Sequence, residues 1–373
     1  GFLQQQGYKI LTLDLKNTLK SGFYNPLALC HSRDELKALA MQMVHSGAGS
    51  SSADPFWEHS ASNLLALLFG LIKTQPVKFQ NLANIRHLLL CFSLPEFGSW
   101  VASCADSALW LSYKAFMSHD VKLRSNICAT LSSVLDLLAF DEIAFITSKH
   151  TIDFKLLLQP KTALFVIIPE RKIPQYKLLV STFYYQLFQF LQANKSKYPV
   201  YCLLDEIGQF KIKDIEVLIT ILRRYNVSLN LGLQDLNQLK FNYGGKIAST
   251  IFSNCSSKLI FGGGSLELAQ NMSKISGTET IEIEFNNQTS LNHKPLITPR
   301  EIIQMKMGRG LFLHGHLPPA KIKLYPYYQN PKLWLRSRIK PIARTSHTFQ
   351  APALLPIINP QSDDGFNTKT LTD

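Results

Sequence analysis

The sequence predicts an α/β fold with a mostly parallel sheet, interrupted by an inserted all-helical block. Three observations predict it. Short apolar runs such as "TALFVIIP" (162–169), "VYCLLDE" (200–206) and "SKLIFGG" (257–263) are separated by stretches with helical spacing, the pattern of βαβ crossovers. Between about residues 32 and 148 the spacing is helical throughout. The chain has 373 residues, of which 46% are hydrophobic and 17% charged, which suffices for a sizeable core and exceeds one ordinary domain in length.

The elements follow in order. "YKILTLDL" (8–15) alternates and is rich in branched residues, so it reads as a strand, broken by Pro26 in "YNPLALC". The helical stretches are "DELKALAMQMV", "FWEHSASNLLALLFGLI", "FQNLANIRHLLLCF", "FGSWVASCADSALWLSYKAF" and "VKLRSNICATLSSVLDLLAF", with "SGAGSSSADP" as a flexible connection after the first. The strand 162–169 reads as buried, and the helix "YKLLVSTFYYQLFQFLQAN" leads to the strand 200–204, which looks fully interior. A helix "KDIEVLITILRRYN", a strand "VSLNLGLQ", a helix "GGKIASTIFSNC" and the strand 257–263 complete the alternation. "GRGLFLHGHLPPAKIKLYPYY" (308–328) reads as a closing hairpin turning at Pro318 and Pro319. Beyond Asn330 the chain gains Pro, Ser, Asn and Asp, the composition of a docked or disordered tail. The division expected is an α/β domain of 1–29 and 151–329, an all-α domain of 30–150 and a tail of 330–373.

The formal charge of +13 and pI of about 9.4 favour a polyanionic partner, nucleic acid or an acidic membrane surface. Six scattered cysteines without a C-x-x-C pair support neither a disulfide framework nor a zinc site, and read as reduced core residues of a cytosolic protein. The longest apolar run, "LLALLFGLI" (64–72), is far short of the roughly 20 residues of a spanning helix. Phe56, Trp57, Trp100 and Trp110 read as core of the helical block rather than as a base-stacking platform. Lys114, Lys122, Arg124 and Lys149 read either as phosphate-tracking loop cations or as a solvated face.

Chemistry concentrates after the strand 200–204. Parallel sheets present ligands at the carboxyl ends of their strands, and Asp205 and Glu206 sit at such an end. In nucleotide hydrolysis the first carboxylate holds Mg²⁺, usually through a water, and the second orients or deprotonates the attacking water. The bland alternative is a strand end carrying solvated charge. Gln234, at the tip of the next strand, either senses a γ-phosphate or is an ordinary turn residue. Arg223 and Arg224 lie between the two strands; each is either an arginine finger or a cation at a helix end favoured by the dipole. No G-x-x-x-x-G-K-[ST] loop accompanies them: "YGGKIAST" lacks the first glycine, and "FGGGS" lacks the lysine.

Several segments together, in order, resemble the coupling ATPases of type IV secretion and conjugation, the TraG/TraD-like proteins. They are "QGYKILTLDL…YNPLA", "DPFWEHSASNLL" (54–65), "LLDEIGQFKIKDIEVLITILRRYNVSLNLGLQDLNQL", "YGGKIASTIFSNCSSKLIFGGGSLELAQNMSKISGTET" and "KPLITPREIIQMKMGRGLFLHGHLPPAKIKLYPYY", covering roughly residues 5 to 328. The resemblance implies a RecA-like P-loop NTPase core that uses ATP and Mg²⁺, with Asp205 as the Walker B aspartate, Glu206 as the catalytic glutamate and Gln234 as the glutamine that follows. Arg223 fits the finger if a one-residue shortening before Lys211 is allowed, and Arg224 fits if it is not. It further implies a homo-hexamer anchored in the bacterial inner membrane with the motor on the cytoplasmic face. Its partners would be a DNA–relaxase complex or secreted effector proteins, and components of the secretion channel. In such proteins the all-helical block touches substrate or accessory proteins. The chain opens on Gly1 and shows neither anchor nor phosphate-binding loop, so a fragment beginning after the Walker A loop is expected. The alternative is a non-hydrolysing, truncated adaptor of the same fold that binds cargo or DNA.

Overall fold

The computed structural model describes residues 1–47, 55–92, 95–285 and 288–356; Asp54 and most of the glycine-serine connection lie outside them. Two compact units partition the chain. One comprises Lys9–Tyr198, Phe210–Lys213 and the chain from Arg344; the other comprises Gly1–Tyr8, Pro199–Gln209 and Asp214–Ala343.

In the first unit, strand β1 (Lys9–Asp14) pairs in parallel with β2 (Thr162–Ile167), Lys9 opposite Thr162. Between them, the described residues from Arg33 to Ile146 form helices and connecting turns, with no strand. The helix Pro55–Lys73 shows why: Leu64, Leu65, Leu68, Leu71 and Ile72 recur at three- and four-residue intervals and are at most 1% exposed. Side chains fix the helix starts, Asn81 accepting from the Asn84 N–H and Asp120 from the Leu123 N–H at 2.8 Å. The long helix Ile173–Ala193 buries Phe183 completely, edge-on against Tyr24 and Phe154. Trp57, Trp100 and Trp110 are half-buried, whereas Phe56 is 48% exposed and does not belong to the core. Two of the cysteines, Cys30 and Cys91, are buried and the other four are partly covered. Burial pushes the Cys30 thiol up to about 12, so it sits in the core as an inert hydrophobe.

The tail from Arg344 to 356 docks on this unit. Arg344 pairs with the buried Asp14 carboxylate at 2.7 Å, and the ring of Phe349 stacks on Phe145. Asn84, fully buried, donates to the Ala353 carbonyl at 3.0 Å and accepts from the Leu355 N–H at 2.8 Å. Truncating Asn84 leaves both backbone groups unpaired, at roughly 1–3 kcal/mol each. Asn84→Ala is therefore expected to lower stability by about 2–4 kcal/mol in urea titration and to expose the tail to limited proteolysis. Unchanged proteolysis would show that the tail is held elsewhere.

In the second unit, β3 (Val200–Leu204) and β4 (Val227–Leu231) form a parallel pair with Val200 opposite Val227. Strand β5 (Ser257–Phe261) follows, and then a hairpin of β6 (Thr278–Phe285) and β7 (Gln288–Pro295) that the sequence reading did not include. The last strands, β8 (Arg309–His314) and β9 (Ala320–Lys323), form the expected hairpin across Pro318 and Pro319. Strand β8 runs antiparallel to β5, so the parallel character is confined to β1–β2 and β3–β4 among the described strands. A core of Ile260, Met272, Ile297, Ile302, Leu311 and Leu313 holds the antiparallel sheet to the helix Leu266–Ser276.

One expectation fails in detail. Strand β3 reads as interior, yet Tyr201 is 68% and Leu203 78% exposed. The two-residue period puts them on one face with their partners Ser228 and Asn230, which are exposed too. Only the other face, with Leu204 and Val227, is covered. Phe165 on β2, 46% exposed, departs from the expected burial in the same way. An unbroken apolar run signals burial on both faces in a complete parallel sheet. Here it is met on one.

Candidate functional site

The site forms where β3 and β4 end. Leu204 stands opposite Leu231, and the Gly232 N–H extends the ladder by donating to the Leu204 carbonyl at 2.8 Å. Asp205 therefore faces Gly232, and the absence of a side chain there matters. A Cβ at position 232 would lie 2.7 Å from Asp205 Oδ1 and 3.3 Å from its Cα.

The chain turns sharply at Glu206, whose φ of +51° lies in the left-handed region. That conformation costs a non-glycine residue roughly 1–2 kcal/mol, and such strain gathers at functional sites. It leads into the single turn Ile207–Gln209, closed by the Gln209 N–H donating to the Glu206 carbonyl at 3.0 Å. The Glu206 carboxylate is then held by two amides. Gln234 Nε2 donates to Oε1 at 2.6 Å, and Gln209 Nε2 donates to Oε2. Behind the turn, Gly208 packs against Leu233 and Gln238, while Asn242 Nδ2 donates to the Gly208 carbonyl at 2.5 Å.

The structure thus joins Glu206 directly to Gln234, with Asp205 adjacent and exposed. Gln209 was missed by sequence reasoning. Its signal was present as a Glu-x-x-Gln pair, the spacing that brings side chains together over one helical turn. Arg223 and Arg224 are not part of the cluster. Both are exposed in the turn Arg223–Tyr225, which ends the helix Ile215–Leu222 and precedes β4. Asn226, at φ +63°, closes that helix in the left-handed conformation common after helix ends. The arginines therefore stand at the amino end of β4 and Gln234 beyond its carboxyl end, roughly 20 Å apart at ~3.3 Å per residue.

Asp205 and Glu206 supply hard oxygen donors, the ligand type of Mg²⁺. No group of three or more His, Cys, Asp or Glu gathers to hold a metal among the described residues. That donor set fits Mg²⁺, which keeps several waters and binds through one or two carboxylates together with substrate phosphates.

The family model for "Type IV secretory system Conjugative DNA transfer" matches residues 107–352. The chain belongs to this family. The conjugal transfer protein TraG of Agrobacterium fabrum (strain C58) is 25% identical over 133 residues, 32% of this chain and 20% of that protein. TraG of Rhizobium radiobacter matches equally, over 21% of its length. The aligned segment thus spans about a fifth of these conjugal transfer relatives. Among solved structures, the conjugative coupling protein TrwBΔN70 in complex with sulphate superposes with a TM-score of 0.69 at 16% identity, over 86% of this chain and 80% of that one. TrwB in complex with ADP and Mg²⁺ gives 0.68 at 17%, over 85% and 73%. The fold is the RecA-like one of these solved structures, mixed helix and strand with the helical block inserted.

Proposed function

We propose that this chain is the motor-domain part of a conjugative coupling protein that hydrolyses Mg²⁺-bound ATP to recruit and pass DNA–protein or effector substrates to the secretion channel. The observation that carries the reading is the Glu206 carboxylate, fixed between Gln209 and Gln234 beside exposed Asp205 at the ends of two parallel strands. Asp205 would hold Mg²⁺ through a water. When bound, Mg²⁺ supplies charge neutralisation at the phosphates. Glu206 accepts the proton of the attacking water, and Gln234, which donates to Glu206 Oε1, helps orient that water. Residues 1–29 and 151–329 form the nucleotide-binding domain, 30–150 the all-α domain and 330–373 the tail. The working form is a homo-hexamer on the cytoplasmic face of the inner membrane. No helix among the described residues is long and apolar enough to cross a membrane.

The test is ATP hydrolysis by the complete gene product with and without Mg²⁺, alongside nucleotide binding. Mg²⁺-dependent turnover supports the motor. Binding of cargo or DNA without turnover would put the non-hydrolysing adaptor in its place. A second variant examines the metal assignment. Gly232→Ala puts a methyl group against Asp205 Oδ1 and is expected to weaken metal affinity about 10–100-fold, as loss of a ligand-orienting neighbour does. Mn²⁺ binding in the presence of ADP, followed by electron paramagnetic resonance, reads this without turnover. Unchanged Mn²⁺ affinity would remove Asp205 from the metal site.

A further inference from the structure

The segment leaving β9 carries a surface that the hydrolysis site does not use. From Lys321 to 356 there is no Asp or Glu, whereas Lys321, Lys323, Lys332, Arg336, Arg338 and Lys340 fall within twenty residues. Between these cations lie large exposed rings: Tyr325 is 64%, Tyr327 57%, Tyr328 61% and Trp334 39% exposed. The rings are held in place. Tyr327 and Tyr328 belong to the turn Tyr327–Gln329 and meet edge-on at 5.6 Å. Asn330 joins that turn to the helix Pro331–Ser337, its side chain accepting from Lys332 and Leu333 N–H at 3.1 and 3.3 Å. Lys323 Nζ lies 4.9 Å over the Tyr325 ring, and the Arg338 guanidinium 4.4 Å over Trp334.

We propose that this surface is a binding track for single-stranded nucleic acid, with bases stacking on Tyr325, Tyr327, Tyr328 and Trp334 and phosphates meeting Lys323 and Arg338. Exposed rings interleaved with cations are what a strand of unpaired bases requires, because each base offers a π-face and each linkage a charge. Paired bases in a duplex are stacked on one another and offer no face to a tyrosine. A second copy of a chain carrying +13 meets this basic surface, where Glu301 pairs with Lys321 at 3.3 Å, with like charge. The helix at its centre, Pro331–Ser337, has only seven residues, and its exposed Leu333, Trp334 and Leu335 offer little apolar area to a membrane surface, where binding scales with the apolar area buried. The inference depends on the proposed function only for the identity of the cargo, since binding is measured without hydrolysis.

Fluorescence anisotropy of the whole chain with labelled oligodeoxythymidine of about 20 nucleotides tests it, against a blunt duplex of equal length and against anionic phosphatidylserine vesicles. Single strands are expected to bind at least tenfold tighter than duplex, and the triple variant Tyr325→Ala, Tyr327→Ala, Tyr328→Ala to weaken single-strand binding roughly tenfold or more. The rings are exposed, so the triple variant should keep the parent's circular dichroism and melting. The independent pair Lys323→Gln, Arg338→Gln should flatten the dependence of log affinity on log salt by about 1.4. Equal binding of duplex, an unaffected triple variant, vesicle binding in place of oligomer binding, or self-association through these rings without oligomer binding would each overturn the proposal. Loss of ATP turnover in a Glu206 variant leaves it untouched.

Discussion

Replacing Glu206 with Gln in the complete gene product is expected to lower ATP turnover by about 10²–10⁴-fold, the usual contribution of a positioned general base, if Glu206 acts as proposed. The substitution keeps the size of the side chain and removes its capacity to accept a proton. Nucleotide affinity should stay within a few-fold, because Asp205 and the backbone turn are unchanged. The two amides that hold Glu206 sharpen the comparison. Gln209→Ala frees one carboxylate oxygen while the base remains, so it should lower turnover by a smaller factor and be mimicked only in part by Gln209→Leu. Single-turnover hydrolysis in Mg²⁺ separates these outcomes from slow product release. Turnover of E206Q within tenfold of the parent would mean that Glu206 only shapes the turn, and its left-handed backbone would then be a structural feature alone.

Much of this site was legible because its signals are local. A run of apolar residues followed by Asp205 and Glu206 marks a strand end, and Gln234 follows the next such run at the same point. Two parallel strands in register then bring those ends together without further information. Gln209 escaped because its contact depends on the direction of the turn at Glu206, and a glutamate gives no sequence sign of a positive φ. The exposed face of β3 escaped for a different reason. Tyr201 and Leu203 carry the composition of a two-faced interior strand, and composition reports the environment a strand suits rather than the one it meets in a given chain.

The tail and the antiparallel strands mark the limit of local reading. Docking of the tail rests on Asn84 reaching Leu355, 271 residues away, and on Arg344 reaching Asp14, 330 residues away. No period or cap in either segment encodes such contacts. The β6–β7 hairpin did carry a signal, since "TETIEIEF" alternates with period two, and that signal went unread. Strand β5 was recognised as a strand, but its antiparallel pairing with β8 was not. Its partner β8 lies about fifty residues later, and an apolar run has no polarity of its own.

The placement of Arg223 and Arg224 leads to the largest expected effect. Both stand at the opposite end of β4 from the carboxylates, so under the proposed function a finger among them would act on the site of a neighbouring copy. Loss of a finger costs about 10³–10⁵ in turnover, and one of Arg223→Ala and Arg224→Ala is expected to show it while the other stays within a few-fold. Mixing decides whether the action is between subunits. In randomly mixed rings of the inactive arginine variant and E206Q, an interface works when one subunit gives an intact Glu206 and its neighbour an intact arginine. For a head-to-tail ring that holds at roughly a quarter of the interfaces, so activity should return to that order. If finger and glutamate acted within one chain, no subunit in the mixture would carry both, and mixing would restore nothing. Equal, small losses from both arginines would instead leave them as cations at a helix end, where the dipole alone accounts for them.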